Sequence, residues 1–170
     1  MVKPLTRRGA LALLAGSAVM PCAAIADEVI DLGWDDLRPE GDTETPQALR
    51  SLMVDHNGPV LSSQQPVSSG VRSEWNGQIV RLPGFIVPIE HVGTAVSAFI
   101  LVPFAGACVH VPPPPANQLV FVTTPDPYES KGLYAPVHVT GMFGISSMST
   151  QLAQVGYALS AEKIEPFRTL

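Results

Sequence analysis

From Trp75 onward, apolar and polar positions alternate in short runs broken by glycine and proline, the spacing of β-strands. Asn76-Gly77 is a turn signal. It leads into Ile79-Val80-Arg81-Leu82 and Phe85-Ile86-Val87-Pro88-Ile89, and Gly84 between the two runs predicts a bulge or bend. Residues 96–102, rich in Phe99, Ile100 and Leu101, read as a second strand, 119–123 as a third and 136–141 as a fourth. Residues 157–164 close the pattern with alternation at Tyr157, Leu159 and Ala161, and a helical stretch is expected over 145–155. This order predicts a mostly β fold: a small OB-fold-like five-stranded barrel with one or two short helices and an N-terminal strap.

Before Trp75 the pattern changes. Residues 27–50 are acidic, with Trp34 and Leu37 as the main apolar anchors, and are expected to form a strap whose Trp34 plugs the barrel or a groove. Residues 51–73 carry Asn57-Gly58-Pro59 and a Ser/Gln/Pro-rich run, the composition of an irregular connection, with a short helix expected over 46–55. The first 26 residues read differently again. Lys3, Arg7 and Arg8 precede an apolar run over 10–20, and Ala24-Ile25-Ala26 supplies a small-x-small cleavage pattern. The run is too short for a membrane span. Thr6-Arg7-Arg8 is the twin-arginine form, although Gly9 and Ala10 stand where a large apolar residue is usual, so the general secretory route is the alternative. The expected organisation is therefore a cleaved export signal (1–26), an acidic strap and linker (27–73) and a β-barrel domain (74–170), with a periplasmic destination.

Cleavage changes the chemistry. Three of the ten basic residues leave and all fifteen acidic ones stay, so the net charge moves from −5 to −8. Such a chain is a poor candidate for nucleic acid or anionic lipid. Cys22 leaves with the signal, and Cys108 then has no partner for a disulfide within its own chain. It sits in Gly106-Ala107-Cys108-Val109-His110-Val111, followed by Pro112 to Pro115 and Ala116-Asn117-Gln118. In extended chain, positions i and i+2 face the same side, so Cys108 and His110 share one face. A thiolate beside an imidazole suits zinc or copper, and zinc wants about four ligands. His138 and His91 are the further candidates: His138 in Val137-His138-Val139 facing a barrel opening, His91 with Glu90 at the end of the first strand. Histidine favours zinc, and a methionine such as Met142 or Met148 beside the thiol favours Cu(I).

Other readings stand beside this one. Free cysteine is among the most buried residue types, so Cys108 could be structural. An adjacent imidazolium lowers a thiol pKa, which leaves a catalytic thiol open with Asn117 as an orienting group. Four prolines form a stiff run without N–H donors and would end strand pairing. Asn117 and Gln118 are expected to cap that loop by bonding its carbonyls. No phosphate loop, nucleophile elbow, Cys-x-x-Cys pair or His-Glu-x-x-His helix is present.

The string from Ile79 to Glu90, the run from Phe99 to Phe104, and Cys-x-His-x-Pro-Pro-Pro-Pro-x-Asn-Gln together resemble an exported bacterial family catalogued as domain of unknown function 3299. The likeness spans residues 75–167, with Trp34 matching the family's N-terminal tryptophan. The resemblance implies export or lipid anchoring, and some members are similar to proteins encoded beside transporter subunits for divalent metals. The expectation is a periplasmic accessory protein that binds or relays a divalent transition metal, zinc before copper, through Cys108 and His110 with His138 or His91 completing the shell, alongside an ABC-type transporter. The alternative is a non-metal OB-like adaptor of an envelope complex whose Cys-x-His-Pro4 loop is structural. No organic cofactor and no catalytic role are expected.

Overall fold

A computed structural model of the chain describes residues 28–42, 65–107 and 113–167. Six strands form: β1 (Ile30–Asp31), β2 (Ile79–Val92), β3 (Ala95–Val102), β4 (Val120–Tyr128), β5 (Pro136–Ser149) and β6 (Gln154–Pro166). The ladder runs β2-β3-β4-β6-β5 and closes by pairing β5 back onto β2. All these pairings are antiparallel except β4 with β6. This is a closed five-stranded barrel of the OB kind. β1 adds a short parallel rung at the start of β2.

Alternation decides what faces inward. On β2, Val80, Leu82 and Ile86 enter the barrel; on β5, Val137, Val139 and Phe143 do so; on β6, Tyr157, Leu159 and Ala161. Phe143 and Tyr157 stack at 5.0 Å between ring centroids. The strap supplies the rest of this core. Leu32 and Leu37 are buried, and Trp34 and Ile30 pack against the same cluster. Leu37 has no exposed surface, a burial that stabilises by about 1.5–3 kcal/mol.

A second apolar cluster lies on the opposite face of β3. Phe99 and Leu101 belong to the barrel interior, whereas the intervening Ile100 and Val102 pack with Val87, Ala107 and Leu119. The described ends of the connection from β3 to β4 therefore pack on the outside of the barrel wall, where Ala107 and Leu119 are buried.

Two expectations are corrected. Residues 145–155 are not helical: they form the end of β5, a turn and the start of β6, with Ile145 opposite Tyr157 and Met148 opposite Val155. Ser146, Ser147, Ser149 and Thr150 are poor helix formers. Ile145 and Met148 are exposed, so no helical face is being buried. Among the described residues, the only helical segments are two 3-10 turns, Trp34–Leu37 and Ala116–Gln118. Gly84 is not a bulge either. Its register with β5 runs unbroken, and the β2 irregularity falls at Pro88–His91. A Cβ on Gly84 would stand 2.7 Å from Leu101 Cγ, so glycine there lets β2 approach β3 closely. The helix expected over 46–55 and the export signal lie outside the described residues.

Candidate functional site

Cys108, Val109, His110, Val111 and Pro112 lie outside the described residues, and both flanks of the cysteine–histidine string are tied to the barrel. On the N-terminal side, Ala107 is fully buried. Its carbonyl accepts a hydrogen bond from the Tyr134 hydroxyl at 2.9 Å. Tyr134 holds a left-handed backbone, φ 59°, which is uncommon for a bulky residue. Its N–H donates to the Ile86 carbonyl at 2.9 Å, and Ile86 N–H donates to Ala135. The strained tyrosine is thus tied into β2 by its backbone and to Ala107 by its side chain.

On the C-terminal side, Pro113, Pro114 and Pro115 are buried. Prolines bring carbonyls but no N–H donors, and a side chain 49 positions away supplies the missing donor. Gln65 Nε2 donates to Pro114 O at 2.9 Å and to Gln154 O at 2.8 Å. Gln65 Oε1 accepts from Gln154 N–H at 2.8 Å. The amide group behaves as an extra strand residue on β6 that also holds the proline run. Ala116 then packs directly on β6. A Cβ at Gly156 would meet Ala116 O at 2.7 Å.

Asn117 and Gln118 turn inward, 1% and 5% exposed. Gln118 Nε2 donates to Trp34 O at 2.9 Å and to Asn117 O at 3.1 Å. Asn117 Nδ2 donates to Ser69 Oγ at 3.1 Å, and Ser69 Oγ donates to Asp42 Oδ2 at 2.6 Å. Arg38 lies 3.5 Å from the Asp42 carboxylate, completing a polar chain across the strap that runs from buried Asn117 through exposed Ser69. The expected capping of the loop's own carbonyls therefore holds for Gln118 on Asn117. The larger role of the pair is to fasten the strap. Trp34 Nε1 donates to Pro83 O at 2.7 Å from the other end. Tyr157 reaches the strap from inside the barrel, donating to Leu37 O at 2.8 Å and accepting from Arg72 N–H at 2.7 Å. Burial pushes the Tyr157 hydroxyl above its ordinary pKa.

The two remaining histidines do not meet. His138 lies on the outer face of β5, between inward Val137 and Val139, with its ring 4.6 Å from that of Phe167. It faces neither the barrel interior nor its opening. His91 is exposed near the far end of β2. His138 is level with Pro83, so the histidines stand eight β2 positions apart, about 26 Å at strand spacing. Tyr134 bonds at the Ile86 level, about 10 Å from the His138 rung and about 16 Å from His91 by the same spacing. Among the described residues, no group of three or more His, Cys, Asp or Glu side chains could hold a metal ion.

Sequence reading missed Gln65, Ser69 and Tyr134 as the groups that hold the signature's flanks, and Tyr157 as a group that holds the strap. The Ser/Gln/Pro-rich composition of 62–70 reads as a featureless connection, and nothing local distinguishes Gln65 or Ser69 within it. Among the described residues, no helix is long and apolar enough to cross a membrane.

The buried flanks coincide with the extent of a family match. The model of a protein of unknown function, DUF3299, matches residues 34–166, so it includes Trp34 and ends in β6. A crystal structure of a DUF3299 family protein from Pseudomonas aeruginosa PAO1 is similar to this chain at 35% identity. It aligns over 84% of this chain and 99% of that one, with a TM-score of 0.69. No curated protein matches. Strap, barrel and proline connection are one unit, and the chain belongs to the DUF3299 family.

Proposed function

We propose that this protein is an exported, periplasmic accessory protein that binds or relays a divalent transition metal, zinc before copper, through Cys108 and His110. The observation that carries this reading is the fastening of both flanks. Tyr134 grips the carbonyl just before Cys108, and Gln65 grips the proline run just after His110. A loop held at both ends by a rigid barrel is the arrangement in which binding groups are usually presented. A thiolate and an imidazole are soft and borderline donors suited to zinc. His138 stands nearer to the gripped flank than His91, and the two cannot serve one ion. A third ligand is therefore His138 or a group from outside, and a partner or water supplies the fourth. An envelope transporter subunit that hands over or receives the metal is the partner this reading calls for.

A second reading has its own observation. The Asn117-Gln118 half of the signature is consumed in fastening the strap, which supports an OB-like adaptor whose loop is structural throughout. One measurement separates the two: zinc content of protein purified from the periplasm, wild type against Cys108→Ser with His110→Ala. About one equivalent of zinc in the wild type, lost in the double variant, supports the metal reading. Equal zinc content in two equally folded proteins overturns it.

A further inference from the structure

A free strand edge opens at the end of the barrel where β4 and β6 part. Their parallel register runs from Val120 with Tyr157 to Thr123 with Ser160 and stops, although both strands continue. The cause lies in β4. Against β3, its register passes from Thr123 opposite Ala98 to Tyr128 opposite Val96, so five β4 steps oppose two on β3. The three surplus residues fall within Thr124-Pro125-Asp126-Pro127, a bulge in which Thr124 Oγ1 donates to Asp126 O at 2.7 Å. Bulges terminate pairing and recur beside binding sites. Pro125 and Pro127 also remove two N–H donors from β4.

Beyond Ser160, β6 keeps its ladder with β5 through Lys163, Ile164 and Glu165. On its other side no described strand pairs with it. Between the separated strands lies a groove of about 400 Å³ lined by β4 residues 124–128, Glu129 and β6 residues 161–164. Its floor is apolar where the half-buried Tyr128 and Ile164 pack on the core. Its rim is acidic. Asp126, Glu129 and Glu162 are exposed, and none has a cationic partner among the described residues. The single amine of the groove, Lys163, is already paired with Glu165 at 2.9 Å.

An unpaired edge, an apolar floor and uncompensated carboxylates describe one kind of occupant. We propose that this groove is a β-augmentation site for an extended segment of a partner protein that carries lysine or arginine, bound as an added strand on β6. Main-chain hydrogen bonds to β6 supply the pairing, an alternate apolar side chain rests on Tyr128 and Ile164, and the basic side chains meet Asp126, Glu129 and Glu162. Neither the Cys108 loop nor any metal takes part, so this inference and the metal reading stand or fall separately.

The test uses ¹⁵N-labelled full-length mature protein and three acetylated, amidated peptides: Lys-Val-Lys-Val-Lys, the same peptide N-methylated at its three central residues so that donors on both strand edges are removed, and Glu-Val-Glu-Val-Glu. The first is expected to shift and protect the backbone amides of residues 161–165. N-methylation is expected to weaken binding about ten-fold or more, through lost main-chain donors. The acidic peptide should not bind, and Glu129→Lys with Glu162→Lys should abolish binding of the basic one. The N-methylated comparison uses unaltered protein, so it does not depend on how the variant folds. Equal binding of the N-methylated peptide, equal binding of the acidic peptide, no binding of the first peptide, or shifts confined to other residues would each overturn the proposal. Concentration-dependent shifts of the same amides without any peptide would also overturn it, by making the occupant a second copy of this chain.

Discussion

Two irregular segments of this protein bury side chains more deeply than the tip of its longest hairpin does. Leu37 in the strap and Asn117 and Gln118 in the proline connection are all at most 5% exposed. The end of the β5–β6 hairpin is laddered from Ile145 to Gln154, with one register shift between Ile145 and Met148, and there Ile145 and Met148 are 44% and 42% exposed. Regular backbone hydrogen bonding satisfies a segment's own polar groups and therefore permits exposure. A segment without a ladder must find partners elsewhere if it is buried, and here it finds them in Gln65, Ser69, Tyr134 and Tyr157. In this molecule the irregular strap and proline connection are fastened by side chains from elsewhere, while the laddered tip of the β5–β6 hairpin projects.

That contrast can be broken by substitution. The largest expected effect is Leu37→Ala, which empties a fully enclosed site between strap and barrel and should cost about 2–5 kcal/mol in urea unfolding. A loss under about 0.5 kcal/mol would place the strap outside the cooperative unit. Gly156→Val comes next. Its side chain would press on Ala116 O and the Val71 side chain, and the expected loss is about 1–3 kcal/mol. The same variant should increase amide exchange in the 116–118 turn while leaving the β5–β6 tip unchanged.

Tyr157→Phe sharpens the comparison through pH. The folded pKa of Tyr157 lies above its unfolded value because burial disfavours the phenolate. Its stabilisation is therefore complete below the unfolded value of about 10 and lost as pH rises through the folded one. Wild type should lose stability above about pH 10. The phenylalanine variant should show a flatter alkaline limb. At neutral pH it should be weaker by about 1–2 kcal/mol, because Leu37 O and Arg72 N–H lose their partner. Parallel pH curves for the two proteins would refute this account. The smallest effect belongs to the projecting hairpin: Met148→Ser should shift stability by no more than about 0.5 kcal/mol. A change several times larger would mean that the exposed tip is covered.

The elements legible in sequence are those whose evidence is local. Val137, Val139 and Gly141 alternate with His138 and Thr140, and β5 forms there. Asn76-Gly77 signals a turn, and Gly77 takes φ 80° in it. Trp34 and Leu37 stood out as apolar residues in an acidic stretch, and both pack on the core. Residues 145–155 misled, because serine and threonine among spaced apolar residues fit a helix as well as a strand until a partner strand is known. The candidate site was legible only as a string of residue types. What holds its flanks lies 27 positions away for Tyr134 and 49 for Gln65. The string itself offers Cys108 and His110 as ligands; His138 and His91 are alternatives for completing the shell, and the barrel sets those two eight β2 rungs apart.

By itself the sequence determined the β character of the chain, its strand order, its acidic charge and the Cys-x-His-Pro4-x-Asn-Gln signature, since each is carried by neighbouring residues or by composition. Only the tertiary structure decided that β5 and β6 extend into a hairpin, that Gly84 marks a close approach, that Asn117 and Gln118 fasten the strap, and that β4 leaves β6 with a free edge. The physical reason is distance along the chain. A bond such as Tyr157 to Leu37 joins residues 120 positions apart, and no local pattern encodes a partner that only the closing of the barrel brings within reach.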